Sequence, residues 1–189
     1  MQRNVRVASA SLACALLAGC GLAGAGSGSA KRFESEGFGI TFDYPAALTE
    51  KGLRDDASSS AADGEAPGTP DDVVRELTLT DDDFIAVRRD PMDPALLASP
   101  NGALKDGALE PEVNQLAKVL DPHVGPGRPI TVGGMPGFEY LDAGPDAQHR
   151  FLFFAGPGLL YLVHCKSTPA HRAEIANACA TVERTLHRV

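Results

Sequence analysis

Residues 149–165 have the sequence HRFLFFAGPGLLYLVHC, which contains two strongly apolar segments separated by Gly156-Pro157-Gly158. A nearly continuous apolar segment is typical of a strand that is covered on both faces. Glycine and proline at the junction favour a tight turn. The sequence therefore predicts two central strands, at 149–154 and 159–165, that form a hairpin.

The residues after this hairpin predict an amphipathic C-terminal helix. Thr168 can cap a helix that has Pro169 at its first position. An apolar stripe with helical spacing follows, which consists of Ile175, Ala178, Cys179, Val182 and Leu186. Such a stripe packs against the core of a domain. We therefore expect this helix to lie on the sheet, with Cys179 close to Cys165 at the end of the last strand.

The chain before residue 149 predicts further strands and one more helix. Residues 39–45 alternate and predict a half-buried strand. Its buried set is Ile40, Phe42 and Tyr44, and its solvent-facing set is Thr41 and Asp43. The other predicted elements are a hairpin of 74–80 and 84–89 around Asp81-Asp82-Asp83, a helical turn at 95–98, a helix at 110–120, a strand at 129–132, and a turn at 133–137 before a strand with Phe138 and Tyr140.

Two of these segments have a distinctive composition. The helix at 110–120 has Pro111 in its first turn and an apolar stripe of Val113, Leu116, Ala117 and Leu120. Residues 54–72 contain no large apolar side chain. A segment of this kind cannot bury enough apolar surface to offset the entropy of ordering. We therefore expect a disordered surface loop at 54–72.

The first twenty residues have the pattern of a signal sequence that ends in a cysteine. Two arginines precede an apolar run at 7–17, which is shorter than the roughly 17–25 residues of a membrane-spanning helix. The next residues, Leu17-Ala18-Gly19-Cys20, resemble the lipobox of bacterial lipoproteins. In that family the chain is cleaved before the cysteine, whose thiol carries a diacylglyceryl group. Two alternatives are less favoured. The run is too short for an uncleaved membrane helix, and an ordinary secretory signal would leave Cys20 unexplained.

The resemblance to a lipobox implies a cellular location and a set of domain boundaries. Residues 1–19 are expected to be the signal peptide, and 20–32 the lipidated cysteine with a flexible tether rich in glycine, alanine and serine. Residues 33–189 are expected to be one domain, anchored by lipid at the outer face of the cell membrane.

The mature chain is acidic. Residues 1–19 contain Arg3 and Arg6 and no acidic residue, so their removal leaves 15 basic against 25 acidic residues and changes the formal charge from −8 to −10. Nucleic-acid binding needs clustered lysine and arginine, and anionic lipid head groups repel an acidic surface. The composition therefore argues against nucleic acid as a partner.

The four cysteines have different expected fates. Cys14 leaves with the signal peptide and Cys20 is taken by lipid. Cys165 and Cys179 then remain in an oxidising compartment, which favours one disulfide between them. The alternative is a reactive Cys165 thiol beside His164, because a Cys–His pair can form a nucleophile.

No sequence motif of a known catalytic class is present, since Gly-x-Ser-x-Gly, Ser-x-x-Lys and His-Glu-x-x-His are all absent. His171 and Glu174 could supply two metal ligands, but a solvated ion pair is favoured because no third ligand is evident. His164 is interpreted as a satisfied histidine on an apolar strand. The acidic turn at 81–83 lacks the ligand spacing of a calcium loop. We therefore expect no catalytic residue, no metal site and no cofactor.

Three structural features now point to one fold class. They are the strand Gly37-Phe38-Gly39-Ile40-Thr41-Phe42-Asp43-Tyr44-Pro45, the turn Gly133-Gly134-Met135-Pro136-Gly137, and the final hairpin that leads through Thr168-Pro169 into a helix. This pattern resembles the PsbP-like α+β fold, an antiparallel β-sheet sandwiched by helices. Within it, the chain is similar to the LpqN-type lipoproteins of actinobacterial envelopes, which share the lipobox and the late cysteine pair. The resemblance covers about residues 33–189 and implies non-catalytic work, either docking onto larger assemblies at a membrane or stabilising them.

These observations favour a non-catalytic cell-envelope lipoprotein that docks on an extracytoplasmic protein complex. Its expected partners are an envelope protein and, through Cys20, the cytoplasmic membrane. A carrier of a small apolar or amphiphilic molecule is one alternative, because residues 151–163 are rich in apolar side chains that could line a site between sheet and helix. A hydrolase with a dispersed site is the other.

Overall fold

The computed structural model describes residues 29–35, 37–51, 73–99 and 102–189. The predicted signal peptide at 1–19, Cys20 and the predicted loop at 54–72 lie outside the described residues. Residues 30–32, which the composition assigns to the tether, belong to the first strand instead, because they pair with residues 43–45. No helix within the described residues has the length and apolar content needed to cross a membrane.

The described residues form strands and helices in the following chain order. The elements are β1 (Ala30–Ser35), β2 (Ile40–Pro45), β3 (Thr49–Lys51), β4 (Val73–Thr78), β5 (Phe84–Pro91), α1 (Leu109–Leu120), β6 (Arg128–Val132), β7 (Met135–Ala143), β8 (Gln148–Gly156), β9 (Leu159–Ser167), α2 (Arg172–Thr185) and β10 (His187–Arg188). A 3-10 helix at Pro94–Leu96 lies where a helical turn was predicted at 95–98.

The strands form two antiparallel sheets. The main sheet has seven strands in the order β3-β4-β5-β9-β8-β7-β6, and a smaller sheet has the order β1-β2-β10. The predicted central hairpin is confirmed, because β8 and β9 lie inside the main sheet and pair from Gln148 with Ser167 to Gly156 with Leu159. The predicted hairpin of β4 and β5 around the acidic turn is also confirmed.

One helix covers each face of the main sheet. The helix α2 packs into a core that also contains residues of both sheets. The buried residues on its inner face are Ile175, Ala178, Cys179, Val182 and, just after the helix, Leu186. On the other face α1 buries Leu109, Val113 and Ala117 against β7 and β8. This antiparallel sheet between helices confirms the predicted α+β fold class.

The turn between β6 and β7 is shorter than predicted. Only Gly133 and Gly134 form it, with φ values of +56° and +78°. A two-residue type I′ hairpin turn requires positive φ at both positions, and glycine adopts it without strain. Residues 135–137, which the sequence assigned to the turn, are the start of β7.

The helix α2 begins at Arg172, so the predicted start at Thr168 and Pro169 is wrong. The His171 N–H donates to the Thr168 carbonyl oxygen (3.2 Å), which closes a turn before the helix. The Thr168 side chain does not cap the helix, because its hydroxyl donates to Asp83 instead. The predicted apolar stripe of α2 is confirmed.

Two predicted burial patterns are wrong in part. Thr41 is buried, because β2 is the middle strand of the small sheet and the Thr41 hydroxyl donates to the Phe33 carbonyl oxygen (2.6 Å). In α1, Leu116 is half-buried and Leu120 is 48% exposed. The buried residues of this helix recur every four positions, and Leu116 and Leu120 lie to one side of that line.

Candidate functional site

Cys165 and Cys179 form a disulfide, as the sequence predicts. Cys165 lies on β9 and Cys179 on the inner face of α2, so the bond ties the helix to the sheet. Both sulfur atoms are used in this bond. The alternative of a reactive Cys165 thiol beside His164 is therefore wrong. The predicted lipidation site, Cys20, lies outside the described residues.

His171 and Glu174 lie near the start of α2, with His171 Nδ1 and Glu174 Oε2 separated by 3.5 Å. Their side chains are 37% and 49% exposed, as expected of a solvated ion pair. In the part of the chain that the structure describes, no group of three or more His, Cys, Asp or Glu side chains converges where a metal ion could be held. The structure thus gives these two residues no third ligand.

Two neighbouring openings of the described surface lie beside α1. A cleft of about 460 Å³ separates α1 from the segment that follows it; its lining is Glu110, Asn114, Lys118, Val124, Gly125, Pro126, Gly127 and Tyr140. A shallower groove of about 420 Å³ runs along the outer side of the helix, lined by Pro111, Asn114, Gln115, Lys118 and Val119. Asn114 and Lys118 border both openings.

Tyr140 forms the floor of the larger cleft. Its hydroxyl donates to Asn114 Oδ1 (2.7 Å). Burial, and then the nearby charge of Glu110, raise the pKa of Tyr140 to about 12, so the hydroxyl is neutral at pH 7 and cannot act as a base. A side-chain carbon at Gly127 would lie 2.7 Å from the Tyr140 hydroxyl oxygen, so the glycine lets the backbone approach the ring. The Tyr140–Asn114 hydrogen bond and the close approach of Gly127 fix the Tyr140 ring at the base of the cleft.

The end of α1 exposes two apolar side chains, of which Val119 lines the groove. Val119 is 75% exposed and Leu120 is 48% exposed. We use the name α1 surface for Asn114, Gln115, Lys118, Val119 and Leu120. It combines a polar row, one cation and an adjacent apolar pair on a helix whose opposite side is packed on the sheet.

Two histidines meet on the same face of the main sheet as α1. His149 Nδ1 on β8 and His164 Nε2 on β9 are 3.1 Å apart, and we call these residues the histidine pair. The His164 ring stacks on Phe151, with ring centroids 4.4 Å apart, and meets the edge of Phe84 at 5.3 Å. Burial, followed by the charges of His149 and Lys166, lowers the pKa of His164 to about 4. His164 is therefore neutral at pH 7.

Sequence reasoning named His164 and missed both its partner and the role of Asn114. The hairpin register could have revealed the histidine pair. A two-residue turn at 157–158 places Phe151 opposite His164 and His149 opposite Lys166. His149 and His164 are then diagonal neighbours on one face, within reach of aromatic side chains. No local signal indicates the Tyr140–Asn114 contact, because it joins a strand to a helix.

Comparisons with solved structures support the fold. The chain is similar to the solution structure of cyanobacterial PsbP (CyanoP) from Synechocystis sp. PCC 6803, with 16% identity, a TM-score of 0.55, and coverage of 92% of this chain and 99% of that one. It is also similar to a crystal structure from Bacteroides thetaiotaomicron VPI-5482, with 12% identity and a TM-score of 0.51, over 84% of this chain and 48% of that one. No protein-family model and no curated protein sequence matches the chain. At these identities the likeness is one of fold, and the fold of this chain is PsbP-like.

Proposed function

We propose that this chain is a lipid-anchored accessory module of the cell envelope, which docks on an extracytoplasmic protein complex through the α1 surface. The observation that carries the proposal is the exposure of Val119 and Leu120 at the end of α1, where Val119 also lines the groove. Removing apolar surface from water is worth roughly 25 cal/mol per Å². A partner that covers this pair would gain that free energy.

The charges around α1 indicate what such a partner presents. Glu110 and Lys118 lie two helical turns apart on the rim of the larger cleft. A complementary protein surface would place a cation near Glu110, a carboxylate near Lys118 and an apolar side chain against Val119. Electrostatic complementarity of this kind mainly sets orientation and specificity.

The lipobox and the fold support the same proposal. Lipidation of Cys20 would hold the domain at the outer face of the cell membrane, where an envelope complex is available. The PsbP-like fold is the one for which the sequence resemblance implies non-catalytic docking. We further propose that the chain belongs with the LpqN-type lipoproteins within that fold class, because it combines the lipobox with Cys165 and Cys179.

Site-specific photocrosslinking in intact cells tests the docking surface. A photoreactive amino acid at position 119 should give a crosslink to a defined envelope protein. The matched control is position 176, where Ala176 is exposed on the outer side of α2; it should give no such crosslink. Crosslinking that is absent at 119, or identical at 119 and 176, would contradict the proposal.

Detergent-phase partitioning tests the anchor separately. Cys20→Ser should move the protein from the detergent phase to the aqueous phase, because the lipidated thiol is the proposed membrane attachment. The wild-type chain is the control. Equal partitioning of both proteins would rule out anchoring at Cys20 and leave the docking surface to be judged by the crosslinks.

The carrier and hydrolase alternatives gain no support from the described residues. The two openings described above lie beside α1 and are open to solvent. A bound amphiphile would appear as a discrete added mass in native mass spectrometry that is lost on denaturation, and that result would favour the carrier.

A further inference from the structure

The outer edge of β1 is open in the described part of the chain. The smaller sheet has the order β1-β2-β10, so β1 pairs with β2 on one side only. The other edge strands are protected, because β3 has three residues, β10 has two and β6 contains Pro129. The strand β1 has six residues and no proline. It is therefore the edge at which a further strand can pair most readily.

The hydrogen bonds of β2 show which backbone groups of β1 face this open edge. The Ala46 N–H donates to the Ser29 carbonyl oxygen (2.9 Å), so these two opposed residues form a hydrogen-bonded pair. Bonded and non-bonded pairs alternate along an antiparallel ladder. The Asp43 N–H accordingly points away from β1 and donates to the Thr185 hydroxyl oxygen (2.8 Å). The N–H and C=O groups that face the open edge therefore belong to Ala30, Arg32 and Glu34.

The charges of these residues favour one register with a second, antiparallel copy of β1. Ladder hydrogen bonds require edge-facing residues to lie opposite each other. With Arg32 opposite Glu34 of the second copy, two such pairs form about a two-fold axis at Phe33. A shift of two residues in either direction places Arg32 opposite Arg32 or Glu34 opposite Glu34. Like charges directly opposite each other destabilise a sheet, so the first register is favoured.

The side chains of β1 are placed for this contact. Arg32 and Glu34 are exposed, whereas Phe33 between them is buried in the core. The Arg32 Nε donates to Asp43 Oδ1 (2.9 Å), but the side chain is still 60% exposed. A guanidinium group has five N–H donors, so donors remain for a carboxylate of the second copy. Edge charges of a single sign would repel a second copy, whereas these two charges complement each other.

We propose that two copies of this chain associate through β1, with the strands antiparallel and Arg32 of each copy opposite Glu34 of the other. The contact uses the same surface of both copies and closes with two of them. It joins two three-stranded sheets into one of six strands. About four backbone hydrogen bonds and two ion pairs form, so the association is weak in dilute solution.

The length of the tether allows both copies to share one membrane. In the antiparallel pair the two Ala30 residues lie roughly 20 Å apart, at about 3.4 Å per residue. Residues 20–29 precede Ala30 in each chain, and ten residues span at most about 33 Å. Two proposed anchors at Cys20 can therefore insert side by side, which raises the effective concentration of a weak contact. The α1 surface lies on the other face of the main sheet and stays free.

Site-specific photocrosslinking in intact cells tests the contact with both charges in place. A photoreactive amino acid at position 30 should give a product of twice the chain mass, in which mass spectrometry finds peptides of this chain alone. Position 176 is the matched control, because Ala176 is also an exposed alanine, and it should give no such product. Absence of the product at position 30, equal yields at both positions, or a crosslink from position 30 to a different protein would overturn the proposal.

Charge reversal then tests the register. Glu34→Arg should lower the yield of the crosslinked pair at least about fivefold, because it places two cations opposite each other twice in the dimer. Arg32→Glu should also lower the yield. Co-expression of the two variants should restore it, since every opposed pair then carries opposite charges, and a variant that fails to fold would show no such rescue.

Glu50→Arg is the control for charge reversal. It makes the same change in charge at an exposed residue of β3, and the crosslink yield should equal that of the wild type. A yield that Glu34→Arg leaves unchanged, or that co-expression fails to restore, would contradict the pairing of Arg32 with Glu34.

Discussion

Asp83 joins the acidic turn between β4 and β5 to the residues that precede α2. It is buried and accepts hydrogen bonds from the Thr80 hydroxyl (2.6 Å), the Thr168 N–H (2.6 Å) and the Thr168 hydroxyl (2.9 Å). A buried carboxylate is tolerated only where donors surround it in this way. The acidic turn is therefore a structural clamp, which is why Thr168 is not available to cap α2.

Asp83→Asn should destabilise the domain. The amide can keep its oxygen toward the two Thr168 donors only by turning its NH2 group toward the Thr80 hydroxyl, which can then no longer donate to this side chain, so we expect a loss of about 1–3 kcal/mol in the free energy of unfolding. Urea unfolding measures it. Asp82→Asn is the control, because Asp82 is 73% exposed and its ion pair with Lys166 should be worth under about 1 kcal/mol. Equal stability of the two variants would contradict the clamp.

At the scale of elements, the contact of α2 with the main sheet is covalent as well as apolar. The disulfide joins Cys165 on β9 to Cys179 on α2 across a sequence separation of 14. Arg150 Nη1 on β8 donates to Cys179 Sγ at 3.6 Å and Arg150 Nη2 to Glu183 Oε2 at 2.6 Å, so a polar contact on the same face supports the helix. The position of α2 thus depends on neighbours from two strands.

Removing the disulfide should weaken the domain without changing its fold. For a loop of about 15 residues, the chain-entropy argument gives a loss of roughly 3 kcal/mol in the free energy of unfolding. We expect this loss in the Cys165→Ala, Cys179→Ala double variant, measured by urea unfolding. Addition of reductant should bring the wild-type protein down to the stability of the variant. A wild-type stability that reductant leaves unchanged would disagree with this account.

At the scale of the whole molecule, buried carboxylates couple stability to pH. Burial raises the pKa of Glu139, but hydrogen bonds from Arg150 and Arg128 outweigh it and hold that pKa below its usual range. Arg150 Nε donates to Glu139 Oε1 at 2.5 Å. The pKa of Asp83 is lowered in the same way, where hydrogen bonds from Thr80 and Thr168 outweigh burial. Both groups therefore release their protons more readily in the folded state than in the unfolded chain.

The sign of the pH dependence follows from these directions. The unfolded chain takes up protons first as the pH falls, at values near 3.9 for Asp and 4.3 for Glu. The stabilising contribution of both groups is complete above those values and is lost as the pH falls through the lower pKa values of the folded state. Unfolding temperatures from pH 7 to pH 2 should therefore fall most steeply below about pH 4.

Glu139→Gln supplies the control for this profile. The amide cannot titrate, so the variant should show a shallower fall in unfolding temperature below about pH 4 than the wild type, although it starts from a lower stability at pH 7. Parallel curves for the two proteins would show that Glu139 does not contribute to acid sensitivity.

The predictability of each feature depended on how far apart its parts lie in the chain. The central hairpin and the apolar stripe of α2 could be predicted, because turn residues and apolar spacing act within a few residues. The role of Thr168 could not, since its hydroxyl bonds to Asp83, 85 residues away. The cleft beside α1 could not be predicted either, because the hydrogen bond at its base joins Tyr140 to Asn114, 26 residues away. The prediction that Leu120 is buried was wrong for a related reason. The apolar spacing does not show which of the apolar side chains of α1 face the sheet, and this is decided only when the helix packs.

The sequence by itself led to the proposed address and predicted the central β8–β9 hairpin, since both rest on local patterns of charge, turn residues or apolar spacing, and its resemblance to the PsbP-like fold predicted the α+β class. It also named both partners of the disulfide, because only Cys165 and Cys179 remain if Cys14 leaves with the signal peptide and Cys20 carries lipid. Only the tertiary structure decided that Asp83 binds Thr168, that Val119 and Leu120 remain exposed at the end of α1, and that His149 meets His164. Those outcomes depend on which faces and edges pack together, and packing is set by the whole chain rather than by any segment of it.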